Sequence, residues 1–398
     1  MRRIRRTVSI LLTMILMTMV LAGCGDTGNQ AGSSTNPPKQ DSAQADSGQA
    51  GSDDQDEQAQ DTPAAPQQMQ KITIGVIDGS LAGSIVWCAQ QEGIFEKYGI
   101  EVEAQTFTNG MVMLEAIDNI DVALTGIGGI LAGTINYDTQ IISVIAPDSG
   151  TQYLFVRPDG AIAAAGQGHN TLNPEIYGDA ESWKGAQVLS TSGNVLQYLL
   201  MNVLDGFGLT LDDVQVTWMD MPTCNASFLA GEGDAATVTG SVSYAEDKAD
   251  YVVAATGPMC DLGLTTCMLA DPAKIEAKET HDAMVTFLKA CFESVEWMRD
   301  NADAAQAHMI DWCEYCGQEC TPQLAKLYLA ADPNYTLEEV YTMMHETSSE
   351  GDYSVVEERL LKILDFYVQC ENYVESDKDK FLDNKFTTSI IDEVYESK

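Results

Sequence analysis

Positive charge is scarce in this chain: 21 Lys and Arg stand against 60 Asp and Glu, for a formal net charge of −39. So acidic a surface repels a phosphate backbone, which excludes nucleic-acid binding as the main function. Histidine is scarcer still, with only His169, His281, His308 and His345. No Ser-His-Asp, H-E-x-x-H or P-loop pattern gathers catalytic groups in the sequence. Long apolar runs are also missing. The one stretch able to engage a bilayer is 8–22, shorter than the ~20 residues a spanning helix needs. Yet 45% of the 398 residues are apolar, too many for a wholly disordered chain and enough for two cores.

What is present begins with an address. Arg2, Arg3, Arg5 and Arg6 precede the apolar run, and Leu21-Ala22-Gly23-Cys24 follows it. A basic start, a short apolar stretch and small residues before a cleavage point describe an export signal. Leu-Ala-Gly-Cys resembles the lipobox of bacterial lipoproteins. The resemblance implies that 1–23 are removed and that Cys24 is diacylated as the new N-terminus. The segment 24–70 is the lipidated Cys followed by a stretch of Gly, Ser, Gln, Asp, Ala, Asn and Pro without an aromatic residue. It cannot bury enough apolar area to offset its ordering entropy, so a disordered acidic linker is expected. Its acids, from Asp26 to Asp61, repel one another and extend it.

From Lys71 the texture changes. Strands are expected over 71–77, 100–104, 121–126 and 140–145, with helices over 83–98 and 111–117 between them. The pattern restarts with a strand over 183–190, a helix from Asn194 to Gly206, strands over 214–219, 234–239 and 251–255, and a short helix near 226–230. After Gly257 the chain reads as almost all helical, over 281–301, 302–316, 322–330, 337–344 and 355–374. Two strand–helix blocks and a helical tail predict an α/β fold of two lobes. Ligands of such sheets sit at the strand carboxyl ends, here facing an interlobe cleft.

Several runs in this frame resemble a known family. They are Glu92-Gly93-Ile94-Phe95-Glu96-Lys97-Tyr98-Gly99-Ile100, Asp121-Val122-Ala123, Trp183-Lys184-Gly185 with Gly193-Asn194 and the helix after it, and Phe228-Leu229-Ala230-Gly231-Glu232-Gly233-Asp234-Ala235-Ala236. Their order and spacing resemble the nitrate/sulfonate/taurine-type solute-binding proteins of ABC importers, a family that includes binders of thiamine-pyrimidine precursors. The resemblance implies a two-lobed periplasmic-binding-protein-like fold of type II with a helical C-terminal extension. Lobe one would be 71–156 plus 258–398, and lobe two 157–257. It implies a lipoprotein on the outer face of the bacterial cell membrane. That protein captures a small organic solute, nitrogen-containing heteroaromatic or sulfonate-like, by hinge closure and delivers it to an ABC permease. The alternatives are an enzyme like the pyrimidine-synthesis branch of the fold, or a sensing receptor without transport. Two departures stand out: Gly193-Asn194 where the family has G-S, and Thr237-Val238-Thr239-Gly240-Ser241 where it usually carries a tryptophan-containing strand end.

Five loops are expected at the cleft: 78–81, 125–128, 191–194, 221–223 and 239–241. Their small residues bring hydroxyls and backbone N–H groups close to a ligand. The candidate ligand-binding residues are Asp78, Ser80, Leu81, Thr125, Gly126, Tyr153, Ser192, Gly193, Asn194 and Thr239. Ser192 or Asn194 has a plainer role available as a helix N-cap. Trp87 and Trp218 are expected in core packing, and Tyr153 as a stacking face. The folded part has three Arg, at 157, 299 and 359, and none falls in a predicted loop. A buried oxyanion usually takes an Arg or Lys partner, so the loops favour a neutral, zwitterionic or cationic solute.

Nine Cys remain beyond Cys24. Outside the cell, disulfides such as Cys260–Cys267 or one within 313–320 are expected, with Cys88 and Cys291 in the core and buried free thiols as the alternative. Cys313-x₂-Cys316-x₃-Cys320, with Cys370 or His308 as a fourth ligand, is the one metal-like cluster. No second C-x-x-C accompanies it, so neither metal nor cofactor is expected.

Overall fold

In the computed structural model, residues 69–238, 251–348, 353–383 and 385–398 are described. Their ten strands are β1 (Gln70–Ile77), β2 (Ile100–Phe107), β3 (Val122–Thr125), β4 (Gln140–Pro147), β5 (Tyr153–Val156), β6 (Gln187–Ser190), β7 (Gln215–Trp218), β8 (Ala235–Val238), β9 (Val252–Thr256) and β10 (Thr265–Ala270). They build two five-stranded sheets, ordered β2-β1-β3-β10-β4 and β7-β6-β8-β5-β9. In the first, β1 runs parallel to β2 and β3, while β10 is antiparallel to β3 and β4. The second repeats the scheme, with β6 parallel to β7 and β8, and β5 antiparallel to β8 and β9. The inner strands β3 and β8 are buried throughout, and edge strand β4 almost so, as helix-covered strands must be. Two mixed sheets of like order, joined by two crossovers and followed by C-terminal helices, form the expected α/β arrangement of two lobes.

Four local expectations need correction. The helix expected over 83–98 is two helices, Leu81–Gln91 and Ile94–Lys97, because Gly93 takes φ 67° between them. Trp183-Lys184-Gly185 is not strand. Trp183 ends a helix, Ala180–Trp183, that starts at an Asp179–Ser182 capping box, and its fully buried ring is worth more to the core than a longer β6. Tyr153–Val156, assigned to lobe one by the 156 boundary, pairs in the second sheet as β5. Finally, the return after Gly257 is not helical at first: β10 inserts centrally in the first sheet, its apolar side chains buried between β3 and β4.

Those last two facts define the crossovers. The chain leaves β4 through 148–152 to reach β5, and returns from β9 to β10 through 257–264. The two segments are tied together: Asp148 N–H donates to the Leu264 carbonyl (3.0 Å) and Gly257 N–H to that of Gln152 (2.9 Å). They run so close that a Cβ on Gly257 would stand 2.2 Å from the Ser149 carbonyl oxygen, so only glycine fits there. Asp332 fastens one segment from the side. Its carboxylate oxygen accepts from Ser149 N–H at 3.1 Å and Gly150 N–H at 2.7 Å.

The C-terminal helices connect the lobes a third time. Helix Val355–Gln369 puts Phe366 against Tyr198 of the second lobe (ring centroids 4.6 Å), and Gln197 donates to the Cys370 sulfur at 3.3 Å. Beyond helix Ser376–Leu382, Ile141 of β4 exchanges backbone hydrogen bonds with the Lys385 carbonyl and the Thr387 N–H.

The expected disulfides do not form. The nine described Cys are free thiols, and seven of them are buried. Cys260 and Cys267 each fill apolar core space in separate elements, and Cys313 and Cys320 are both buried free thiols. Among the described residues no group of three or more His, Cys, Asp or Glu has the geometry to hold a metal ion. No described helix is long and apolar enough to cross a membrane.

Candidate functional site

Strand ends and helix starts converge on a cleft of about 950 Å³. Its first wall comes from the ends of β1 and β3 and the turns after β2 and β3, with Ile77, Asn109, Thr125, Gly126 and Gly128. The second lobe contributes Gly193, Asn194 and Val195, the loop after β6 and the first turn of helix Val195–Asp205. The C-terminal extension supplies a third side, with Tyr367, Asn372, Tyr373, Asp377 and Lys380. A smaller cavity of about 160 Å³ lies beneath the start of helix Leu81–Gln91, lined by Ser80, Leu81, Thr151, Tyr328 and Asp332. Asp148, the first residue of the outgoing crossover, lines both.

The candidate residues divide accordingly. Thr125, Gly126, Gly193 and Asn194 meet in the large cleft, and Ser80 and Leu81 in the small cavity. Asp78 lines neither, and its carbonyl is held by the Gln318 amide at 3.1 Å. Tyr153 packs its ring against Phe155 (5.8 Å) in the minor core of the second lobe. Ser192 is exposed beside the cleft rather than lining it. Thr239, and with it the loop 239–241, lies outside the described residues, as does Cys24. Trp87 is half-buried against Trp312 and Tyr315, whereas Trp218, expected in the core, stands exposed at the end of edge strand β7.

Several of these groups are occupied by the fold. Asn194 Oδ1 accepts from Leu196 N–H (3.0 Å), Gln197 N–H (3.4 Å) and the Thr191 hydroxyl (2.8 Å), so the side chain is an N-cap that also faces the cleft. Ser80 caps its own helix through Gly83 N–H (3.1 Å), while its carbonyl accepts from the Trp312 indole. Thr125 is buried, and its hydroxyl donates to the Gly126 carbonyl at 3.4 Å.

Asp148 and Asp332 escaped the sequence reading. Part of the Asp148 surface opens onto the two cavities, yet its carboxyl lies deep enough that burial, reinforced by the Asp332 charge, pushes it up to about 7. Burial raises Asp332 as well, against the pull of the Gly150 and Ser149 N–H groups. Among the described residues nothing donates a hydrogen bond to the Asp148 carboxylate. The only signal in the sequence is its place in Pro147-Asp148-Ser149-Gly150, straight after a buried strand.

The cations are engaged elsewhere. Arg157 donates to the carbonyls of Phe228 (2.7 Å), Glu232 (2.7 Å) and Gly233 (3.1 Å), and its guanidinium stacks on the Phe228 ring at 3.9 Å. Arg299 pairs with Glu339 and the Asn334 carbonyl. Lys380, which does line the cleft, is held by Asp377 at 2.7 Å. His281, His308 and His345 pair with Glu393, Glu92 and Asp392, away from the cleft.

No family model matches the chain. Over 250 residues it is 24% identical to a Brachyspira hyodysenteriae protein named as an ABC transporter periplasmic binding protein, covering 62% of this chain and 70% of that one. The periplasmic aliphatic sulphonate-binding protein SsuA of Escherichia coli superposes with a TM-score of 0.59 at 18% identity, over 78% of this chain and 96% of its own. The nitrate-binding protein NrtA of Synechocystis PCC 6803 gives 0.55 at 10% identity, over 83% and 89%. The fold is thus the two-lobed periplasmic-binding-protein fold, and these three proteins are named as binding proteins.

Proposed function

We propose that this chain is the solute-capturing component of an ABC importer, which encloses a small organic molecule between its lobes and presents the closed form to a permease. The observation that carries this reading is the cleft itself. It is lined from both lobes, at a strand end on one side and a helix start on the other, and the crossovers lie at its edge. A solute that touches Gly126 and Gly193 together stabilises the closed arrangement over the open one. Lobe one then comprises 71–152 with the chain after 257, and lobe two the segment between them. The solute is a small nitrogen-containing organic molecule, bound without a cofactor.

The test is a thermal-shift screen of the full chain followed by small-angle scattering with the stabilising class of metabolite. A rise in melting temperature with a smaller radius of gyration is expected. A ligand that stabilises without compaction overturns hinge capture.

We also place the protein outside the cell, tethered through diacylated Cys24 after removal of 1–23, with 25–70 as the leash. Cells grown with radiolabelled palmitate should yield labelled protein. Cys24→Ala should lose the label and pass to the soluble fraction, and a labelled variant would refute the tether.

A further inference from the structure

We propose that the captured solute carries a cationic nitrogen, an organic ammonium or amidinium, and that this nitrogen docks on the Asp148 carboxylate with the rings of Tyr367 and Tyr373 beside it. This rests on reading the cleft as the capture site and adds the charge of what it captures. Asp148 lines both cavities and receives no hydrogen bond from any described residue. A half-buried carboxylate without a donor is poorly solvated, and an N–H-bearing cation reaching it through the cleft is the partner that removes the cost. The neighbouring carboxylate does not compete for that role, because Asp332 is spent on Ser149 and Gly150 N–H. Nor do the described residues of the cleft offer a free positive group to an oxyanion: Lys380 is tied to Asp377, and Arg157 and Arg299 serve carbonyls and Glu339. Tyr367 and Tyr373 meet edge to face at 6.2 Å on the same wall, and aromatic faces attract organic cations.

Gly126 belongs to the same arrangement. A Cβ there would stand 2.9 Å from Asp148 Oδ2, so the glycine leaves the carboxylate oxygen uncovered towards the cleft. The titratable groups around Asp148 are Asp332, Cys267, Tyr328 and, on the cleft, the Asp377–Lys380 pair. None of them supplies a positive charge free of a partner.

The experiment is calorimetric titration of the full chain with benzamidinium and benzylammonium, against benzenesulfonate and nitrate as anionic controls. The cations should bind and the anions should not. Cation affinity should fall about tenfold or more from pH 8 to pH 5.5 as Asp148 takes up its proton. Asp148→Asn should weaken cation binding by a similar factor and abolish that pH dependence. Because the pH series uses the unaltered chain, the answer does not depend on the variant folding. Binding of benzenesulfonate or nitrate without the cations overturns the charge assignment and leaves the capture reading standing. Silence from every probe overturns the assignment, and if metabolite mixtures also fail to stabilise the chain, the capture reading falls with it.

Discussion

Asp332→Ala lowers the melting temperature by roughly 3–7 °C, the shift that a loss of about 2–5 kcal/mol gives in a domain of this size. Asp332 is almost wholly buried, and its Oδ1 accepts from two consecutive backbone N–H groups of the outgoing crossover. Truncation strands both donors in the interior at once, and each costs far more unpaired than a typical hydrogen bond contributes net. Ala also leaves a void against the small cavity. Asp332→Asn keeps an acceptor oxygen at the same place and should recover most of the loss. Thermal unfolding of the three proteins side by side checks this, and equal melting temperatures would mean that the crossover does not depend on the carboxylate.

Asp148→Asn acts in the opposite direction, and its sign depends on pH. Burial and the Asp332 charge raise the folded-state value of Asp148 to about 7, from an ordinary value of 3.8. Between those values the folded protein holds a proton that the unfolded chain has released, so stability falls as pH rises through this window. Above pH 7 the whole penalty is present, on the order of 3–4 kcal/mol. Asn removes the ionisation, so the variant should gain stability over the unsubstituted protein at pH 8 and lose that advantage towards pH 4. Denaturant midpoints at both pH values measure it. A gap that stays constant with pH would show that Asp148 does not carry the raised proton affinity.

Much of the lobe architecture was legible because period and composition were consistent along the chain. Ile72, Ile74 and Val76 alternate into the core of β1, and Leu196, Leu199, Leu200 and Val203 mark one helix face. Errors fell where tertiary context overrode local pattern. In Thr265–Ala270, Thr and Cys sit among apolar residues, and nothing local shows that the run slots between β3 and β4. Trp183 looks like strand in isolation, yet its capping box and its burial make it the end of a helix. The cleft followed the same rule. Gly193 and Asn194 were visible because a glycine and a cap announce a helix start. Asp148 and Asp332 lie 184 positions apart in the numbering, and only the crossover packing brings their charges together. Tyr367 and Tyr373 reach the cleft because the C-terminal extension folds back over it, a path that no periodicity encodes.

The free thiols have a kinetic meaning beyond their part in the core. Burial pushes Cys88 and Cys224 up to about 11 and Cys260 and Cys313 up to about 12, with Cys267 and Cys291 raised further. Near neutral pH this cuts the reactive thiolate population by roughly two to three orders of magnitude relative to an open cysteine. In an oxidising environment the native packing itself is then the protecting agent, since no disulfide is in place to remove these sulfurs from reaction. The vulnerable interval is the time before the core closes, when the nine Cys beyond Cys24 are ordinary thiols on one unfolded chain. Closure of the core therefore does more than stabilise the lobe, because it withdraws seven sulfurs from the oxidation that would scramble the chain.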